Sequence, residues 1–310
     1  MNKIFTSVSH IISIVRAARN TCSPFYFMVK YLRGVIMKIY DCHIHSEFSI
    51  DGKDSIDEIC KTAIEKGATA ITITDHALPM PEGVTNYTHI ENCVKAAREI
   101  APKYKDKLLV LVGAERDDEY PAEYRERFYD FDLDCVLGSA HSKPTFSNYF
   151  AEYGYKDIKD CSVDAPKELL AQVVKKYYHR LTKLAFYADV DVITHLTFLF
   201  RYINGYNKRG LEIEPFYPEI DNVLKGVIET GKALEINTSG KALEWNQFMP
   251  NAEILKRYHD MGGRIITLGS DAHKKENIAF AFTEAIKMLK DIGFTHGSYF
   301  VKRERKEYKL

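Results

Sequence analysis

The chain has 310 residues, 45% of them hydrophobic and 28% charged, which is ordinary for a globular protein with a sizeable core. Its 43 Lys and Arg balance 43 Asp and Glu, so it has no basic excess for non-specific nucleic-acid binding and no overall field for steering anions. None of its 6 cysteines stands in a CxxC spacing, which argues against a zinc knuckle and favours reduced cysteines in the cytoplasm.

The first 36 residues differ from the rest of the chain. They contain several Lys and Arg but no Asp or Glu, and their apolar run HIISIV is too short to span a membrane. An organelle-targeting peptide and an upstream extension before a start at Met37 both fit this composition. The second is favoured, because MKIYDCHIH begins as the first strand of a barrel would. We therefore predict a basic extension at 1–36 and a catalytic domain at 37–310.

From Met37 onward, short strand-like runs alternate with longer helical ones. The strand candidates are KIYDCHIH, ATAITITDH, LLVLVGAE, DCVLGSAH, DVITHLTF, ALEINTS and RIITLGSDAH. The helix candidates are Ser55–Lys66, Ile90–Ile100, Pro166–Ala188, Tyr217–Thr230, Ala252–Met261 and Ile278–Ile292. Several strand candidates are continuous apolar runs, which is typical of strands buried on both faces of a parallel sheet. This alternation predicts an α/β fold, either a closed barrel or an open doubly wound sheet.

Six of the seven strand candidates carry His, Glu or Asp at or near their carboxyl end, which distinguishes the two folds. The residues are His43, His45, His76, Glu115, His141, His195, Asp271 and His273. In a closed barrel all strand carboxyl ends meet at one mouth, whereas in an open sheet they are spread along an edge. The pattern therefore favours the barrel.

These residues, with Asp51 added, have the chemistry of metal ligands. His43 and His45 are two residues apart and would lie on the same side of a strand. Taken singly, His141 or His195 could be a core histidine with both nitrogens hydrogen-bonded. A second set lies outside the predicted strand ends and is assigned no function: His10, His89, His179, His259 and His296. Imidazole and carboxylate without thiolate suit zinc, iron or manganese better than magnesium or calcium.

Nine such residues are too many for one ion, so two or three ions would share them, with a carboxylate such as Glu115 bridging. Sites with several metals suit attack on phosphorus, because the ions activate water and clamp phosphate oxygens. The residues therefore predict metal-assisted phosphoester hydrolysis. Carbon–nitrogen or carboxyl-ester hydrolysis in a related barrel is chemically possible too.

The ordered motifs DCHIH, TDH, GAE, GSAH, DVITH and GSDAH resemble the PHP (polymerase and histidinol phosphatase) superfamily from about Met37 onward. The resemblance implies a distorted (β/α)7 barrel with a trinuclear metal site at the strand carboxyl ends. One metal would take His43, His45, Glu115 and Asp271. A second would share Glu115 and take His141 and His195. The third would take His76, His273 and Asp51. Asp41 and Asp75 look like groups that orient neighbouring ligands, although Asp75 could equally cap a strand-to-helix turn.

Two further motifs, LEINTSG at Leu234–Gly240 and HLTFLFRY at His195–Tyr202, are similar to the histidinol-phosphate phosphatase branch. That branch makes L-histidinol and phosphate from L-histidinol phosphate. Arg201 matches an arginine expected to bind the phosphate, and Lys143 and Arg116 are further phosphate candidates. His76 or Asp271 would donate the proton to the leaving group.

The resemblance thus implies a phosphatase acting on a small phosphate ester. The neutral charge and the absence of a basic stripe argue against a nucleic-acid partner, and no membrane partner is expected. The long aromatic segment 143–166 would be a loop that caps the pocket or packs as a surface excursion. The alternatives are a PHP phosphoesterase with another substrate and a metal-binding module without catalysis.

Overall fold

Parallel strands form the frame of the domain. They are β1 (Ile39–Ile44), β2 (Ala68–Ile73), β3 (His76–Ala77), β4 (Leu109–Asp117), β5 (Cys135–Ser139), β6 (Val192–Ile193), β7 (Ala233–Asn237) and β8 (Ile266–Gly269). Their order is β1-β2-β4-β5-β6-β7-β8, with the short β3 paired to β4. The computed structural model describes residues 37–77, 88–117, 130–141, 150 and 153–310. The predicted extension at 1–36 lies outside these residues, and its role stays a prediction.

The sheet nearly closes on itself. A parallel bridge joins Ile44, at the end of β1, to Ala272, which follows β8. Neighbouring strands pair in parallel all along the path, so every carboxyl end points to the same mouth. Interior positions such as Ile71, Val112 and Leu234 are buried, as expected for apolar strands covered on both faces. The predicted barrel is confirmed.

Helices follow most of the strands. They are α1 (Ile56–Glu65), α2 (Thr88–Tyr104), α3 (Ile158–Asp164), α4 (Lys167–Tyr187), α5 (Tyr217–Thr230), α6 (Ala252–Asp260) and α7 (Phe282–Ile292). Local sequence explains their ends: Ser55 and Glu58 form a capping box before α1, and Gly231 ends α5 at a φ of 70°. Within the described residues, no helix combines the length and apolar character needed to cross a bilayer.

Two helix predictions need correction. α7 begins at Phe282 and not at Ile278, because a short helical turn occupies Lys275–Asn277 and Ala281 has a φ of 56°. α3 lies within the segment predicted as a loop, where the side chain of Asp157 caps it by accepting a hydrogen bond from the Asp160 amide. Residues 142–149 and 151–152 of that region lie outside the described residues.

A C-terminal hairpin, β9 (His296–Val301) and β10 (Glu304–Lys309), was not predicted from the sequence. His296, expected in a helix or loop, begins a strand instead. Lys302 and Arg303 make the turn at φ values of 50° and 64°. Asn-Gly is the usual sequence at such a turn, and these two residues give no comparable signal. The hairpin places Tyr308 on Tyr40, with ring centroids 4.1 Å apart, and so covers the start of β1.

Candidate metal centre

The end of β1 brings the first two histidines together. His43 and His45 are both buried, and their Nε2 atoms lie 3.1 Å apart. Backbone bonds connect this strand end to the segment after β8: the Asp271 amide donates to the His43 carbonyl at 2.8 Å, and the His45 amide donates to Ala272 at 2.9 Å. The side-chain oxygen Oδ1 of Asp271 therefore lies 3.2 Å from His45 Nε2.

Glu115, on β4, occupies the centre of the cluster. Its Oε2 atom lies 2.9 Å from His76 Nδ1 and 3.4 Å from His43 Nε2. Its Oε1 atom lies 2.8 Å from His195 Nε2 and 3.3 Å from His141 Nε2. His45 Nε2 lies 3.6 Å from the same Oε2 atom as His76 and His43, so one buried carboxylate faces five imidazoles from four strand ends, as a bridging ligand would.

Asp51 stands at the outer side of the cluster. Its Oδ2 atom lies 3.1 Å from His273 Nε2 and 3.5 Å from His76 Nε2. Three overlapping groups have ligand atoms within 4.8 Å of one another: His45, Asp51, His76 and His273; His43, His45 and Glu115; and His76, Glu115 and His141. The structure thus brings all nine predicted ligand residues to one mouth, while the division among individual ions stays a prediction.

The donor set fits metal ions better than it fits a hydrogen-bonded core. The Nε2 atoms of His43 and His45 face each other at 3.1 Å, so a single proton or a single cation can bind between them. His195 Nδ1 is buried without a hydrogen-bond partner among the described residues. His195 and Asp271 also have φ values of 22° and 53°, which is the kind of backbone strain that collects at functional sites.

Charge within the cluster shifts its pKa values strongly. Burial lowers the pKa of His43, but the charges of Glu235 and Glu115 outweigh burial and hold it well above its usual value. Burial raises the pKa of Glu115, yet His141, His43 and His76 together hold it well below its usual value. Burial and the charge of His76 lower the pKa of His45 to about 3. Without metal, protons would provide the positive charge that this carboxylate-rich cluster requires.

Asp41 and Asp75 contact backbone beside the ligands and not the ligand rings. Asp41 accepts hydrogen bonds from the amides of His43 and Ser270 at 3.4 and 2.9 Å. Asp75 accepts from the amide and hydroxyl of Ser46 at 2.5 and 2.6 Å. Burial raises the pKa of Asp41 to about 6 and also raises that of Asp75. Asp41 therefore holds the chain on either side of the site, next to His43 and Asp271.

Sequence reasoning missed two acids that touch ligand histidines. Glu235, in the middle of β7, lies 2.6 Å from His43 Nδ1. Asp117 lies 3.3 Å from His141 Nδ1 and 3.6 Å from Arg180. Both had a signal in the sequence: Asp117 is two residues after Glu115 and so on the same side of β4, and Glu235 interrupts an apolar strand.

The phosphate candidates are placed differently. Arg201 begins a π-helical stretch, Arg201–Tyr206, and its Nη1 atom lies 3.3 Å from Ser239 Oγ and 4.0 Å from Asp271 Oδ2, at the edge of the cluster. Arg116 is buried and directly follows Glu115, so it points to the opposite side of β4, which does not favour phosphate binding. Lys143 lies outside the described residues.

Known proteins resemble this chain along most of its length. A probable histidinol-phosphatase of Clostridium acetobutylicum is 28% identical over 257 residues, covering 82% of this chain and 93% of that protein. The histidinol-phosphatase of Lactococcus lactis subsp. lactis is 24% identical over 267 residues, covering 83% and 93%. The crystal structure of histidinol phosphate phosphatase from the same organism, complexed with zinc, L-histidinol and phosphate, matches with a TM-score of 0.70 at 20% identity, covering 87% of this chain and 99% of that chain.

The match in structure shows a shared fold. The family itself follows from the sequence, because the PHP domain model matches residues 41–239, about two thirds of the chain. That range contains the ordered motifs from DCHIH to DVITH, and the remaining motif, GSDAH, completes the same mouth after β8. The chain belongs to the PHP domain family.

Proposed function

We propose that this protein is a metal-dependent phosphomonoesterase that hydrolyses L-histidinol phosphate to L-histidinol and phosphate. The observation that carries the proposal is Glu115, a buried carboxylate facing five imidazoles, with Arg201 at the edge of the same cluster. Curated relatives named histidinol-phosphatase align over most of their own length with this chain. The reduced cysteines expected from the sequence fit a cytoplasmic enzyme.

The nine clustered residues would hold three divalent ions, with Glu115 bridging two of them. Zinc, iron and manganese all suit these ligands, and the Lactococcus relative was crystallised with zinc. When bound, the ions lower the pKa of water and neutralise charge on the phosphate.

Arg201 would hold the phosphate of the ester. A guanidinium can bind two phosphate oxygens at once, and Arg201 is half-buried close to Asp271. Its Nε atom is buried and has no hydrogen-bond partner within the part of the chain that the structure describes. The phosphate would provide that partner.

The leaving-group proton is better placed on Asp271 than on His76. Both ring nitrogens of His76 face carboxylates, Glu115 at 2.9 Å and Asp51 at 3.5 Å. Asp271 instead directs Oδ2 toward Arg201, where the ester would lie. Asp271 would accept a proton from the attacking water and pass it to the departing alkoxide oxygen, which becomes the hydroxyl of L-histidinol.

Phosphate release tests the proposal. L-Histidinol phosphate would be compared with nucleotides, sugar phosphates and other phosphomonoesters, using protein purified with manganese, iron or zinc and again after chelation. We expect chelator-sensitive release with a strong preference for L-histidinol phosphate. Metal-dependent release of phosphate from other esters only would support a metal-dependent phosphatase but rule out L-histidinol phosphate as its substrate. Metal binding without any turnover would indicate a non-catalytic module.

A further inference from the structure

β7 contributes none of the predicted metal ligands, yet it carries polar residues toward the site. Glu235 and Asn237 alternate with the core residues Leu234 and Ile236, and all four are buried. Ser239 follows on the same side. We propose that Glu235, Asn237 and Ser239 form a positioning row that fixes the ligand histidines and Arg201 relative to each other. This inference rests on the roles proposed above for those residues.

Glu235 is the metal end of the row. Its Oε1 atom accepts a hydrogen bond from His43 Nδ1 at 2.6 Å, and its Oε2 atom accepts one from the His195 amide at 2.8 Å. The first bond keeps a ring proton of His43 on Nδ1, so that Nε2, which faces Glu115 and His45, is the nitrogen that would lose its proton to a metal ion. The second holds the backbone of His195 at its unusual φ of 22°. One carboxylate therefore positions histidines predicted to serve two different ions.

The neighbouring strand leaves room for this carboxylate. A Cβ atom on Gly269 of β8 would lie 2.2 Å from Glu235 Oε1 and 2.6 Å from His43 Cβ. Any larger residue at this position would displace Glu235 or His43. The glycine thus permits the close approach on which the Glu235–His43 bond depends.

Asn237 joins the two ends. Its Oδ1 atom accepts hydrogen bonds from the Ser239 amide at 3.0 Å and from the Ser239 hydroxyl at 2.7 Å. These two donors identify the amide oxygen, so the amide nitrogen faces Glu235 Oε2 at 3.3 Å. Asn237 is therefore held at both ends of its side chain.

Ser239 is the phosphate end. Since its hydroxyl proton goes to Asn237, its lone pairs accept from Arg201 Nη1 at 3.3 Å. A longer contact of 3.4 Å separates Ser239 Oγ from Asp271 Oδ2. The hydrogen bonds from Arg201 to Ser239, from Ser239 to Asn237 and from Asn237 to Glu235 then all point the same way, and bonds aligned in this way strengthen one another.

Substitutions at the two ends of the row should affect different affinities, that for metal at the Glu235 end and that for phosphate at the Ser239 end. Glu235→Gln keeps the size of the side chain but removes its charge, and should weaken Mn²⁺ binding to the chelated protein by about 10- to 100-fold. Ser239→Ala should leave Mn²⁺ affinity within about twofold of wild type, while raising the inhibition constant of inorganic phosphate by roughly tenfold, because Arg201 loses its acceptor. Ser239→Thr, which keeps a hydroxyl, should restore phosphate affinity.

Thr238→Val is the matched control. Thr238 is buried between Asn237 and Ser239, and its hydroxyl has no hydrogen-bond partner among residues the structure describes, so both affinities should stay unchanged. Normal Mn²⁺ affinity in Glu235→Gln would overturn the proposal, as would Ser239→Ala losing metal to the same extent as Glu235→Gln. If wild-type protein binds Mn²⁺ and phosphate but does not hydrolyse L-histidinol phosphate, the proposed function fails while the row is still tested by both affinities.

Discussion

The metal-free protein should lose stability as the pH rises from 6.5 to 9. Burial lowers the pKa of His76, but Glu115 and Asp51 outweigh it and raise that pKa from 6.5 to about 9. Because the folded pKa is above the unfolded one, the resulting stabilisation is fully present below pH 6.5 and disappears as the pH rises through 9. The shift corresponds to about 3 kcal/mol. His43 and His141 also have raised pKa values and should add to the loss.

Thermal unfolding of the protein after a chelator has removed its metal, measured between pH 6.5 and 9, tests this effect. A loss of about 3 kcal/mol should lower the midpoint by roughly 6–12 °C in a domain of this size. The lowered pKa of His45, about 3, acts only below pH 6.5 and does not disturb the chosen range. His76→Gln should flatten the pH dependence, whereas His179→Gln, on an exposed position of α4, should leave it unchanged.

Metal-loaded protein should show the opposite slope. Imidazole and carboxylate ligands bind metal only when deprotonated, so stabilisation by metal grows with pH over the same range. If the chelated protein kept or gained stability between pH 6.5 and 9, the carboxylate–imidazole pairs around Glu115 would not exist in the form described, and the reasoning would be refuted.

Three further predictions concern single side chains. Glu115→Ala and His141→Ala should each reduce phosphate release by more than about 100-fold with little change in circular dichroism, since loss of a ligand should exceed the effect of losing a ligand's partner; near-normal activity would contradict a shared metal site. Arg201→Lys should raise KM by roughly tenfold, because an ammonium cannot replace a two-oxygen contact; an unchanged KM would remove Arg201 from the phosphate site. Arg303→Ala should lower the free energy of unfolding by about 1–3 kcal/mol without changing kcat, because the substitution leaves the largely buried Asp191 without its ion-pair partner. Unfolding in urea measures this loss, and an unchanged free energy of unfolding would contradict the prediction.

The sequence was sufficient for the barrel and for the gathering of the ligand histidines. Parallel strands buried on both faces have a strong apolar signal, and their shared direction places His43, Glu115 and His195 at one mouth without any knowledge of side-chain contacts. The prediction succeeded because the information needed was which strand end each residue follows.

What was missed depends on contacts between strands. Glu235 precedes the end of β7, and its contact with His43, 192 residues away along the chain, depends on the pairing of β7 with β8 and on the bridge that brings β1 beside β8. The C-terminal hairpin was missed because Lys302 and Arg303 adopt positive φ values that neither residue type favours. Tyr308 of the hairpin packs on Tyr40, which is far away along the chain, so local sequence gives little indication of the hairpin.

The hairpin and the metal cluster occupy opposite ends of the barrel, which explains why Arg303 and Glu115 should affect different properties. Asp134 and Asp191 precede β5 and β6, and both bind the hairpin turn: Asp134 accepts from the Lys302 and Arg303 amides at 3.0 and 2.9 Å, and Asp191 pairs with the Arg303 guanidinium. These contacts stabilise the amino ends of the strands. The carboxyl ends, in contrast, carry residues with strained backbone and a cluster of charged groups. The loss of protons from that cluster destabilises the metal-free fold at alkaline pH. A stable amino end therefore allows the opposite end of the same strands to hold a cluster suited to chemistry.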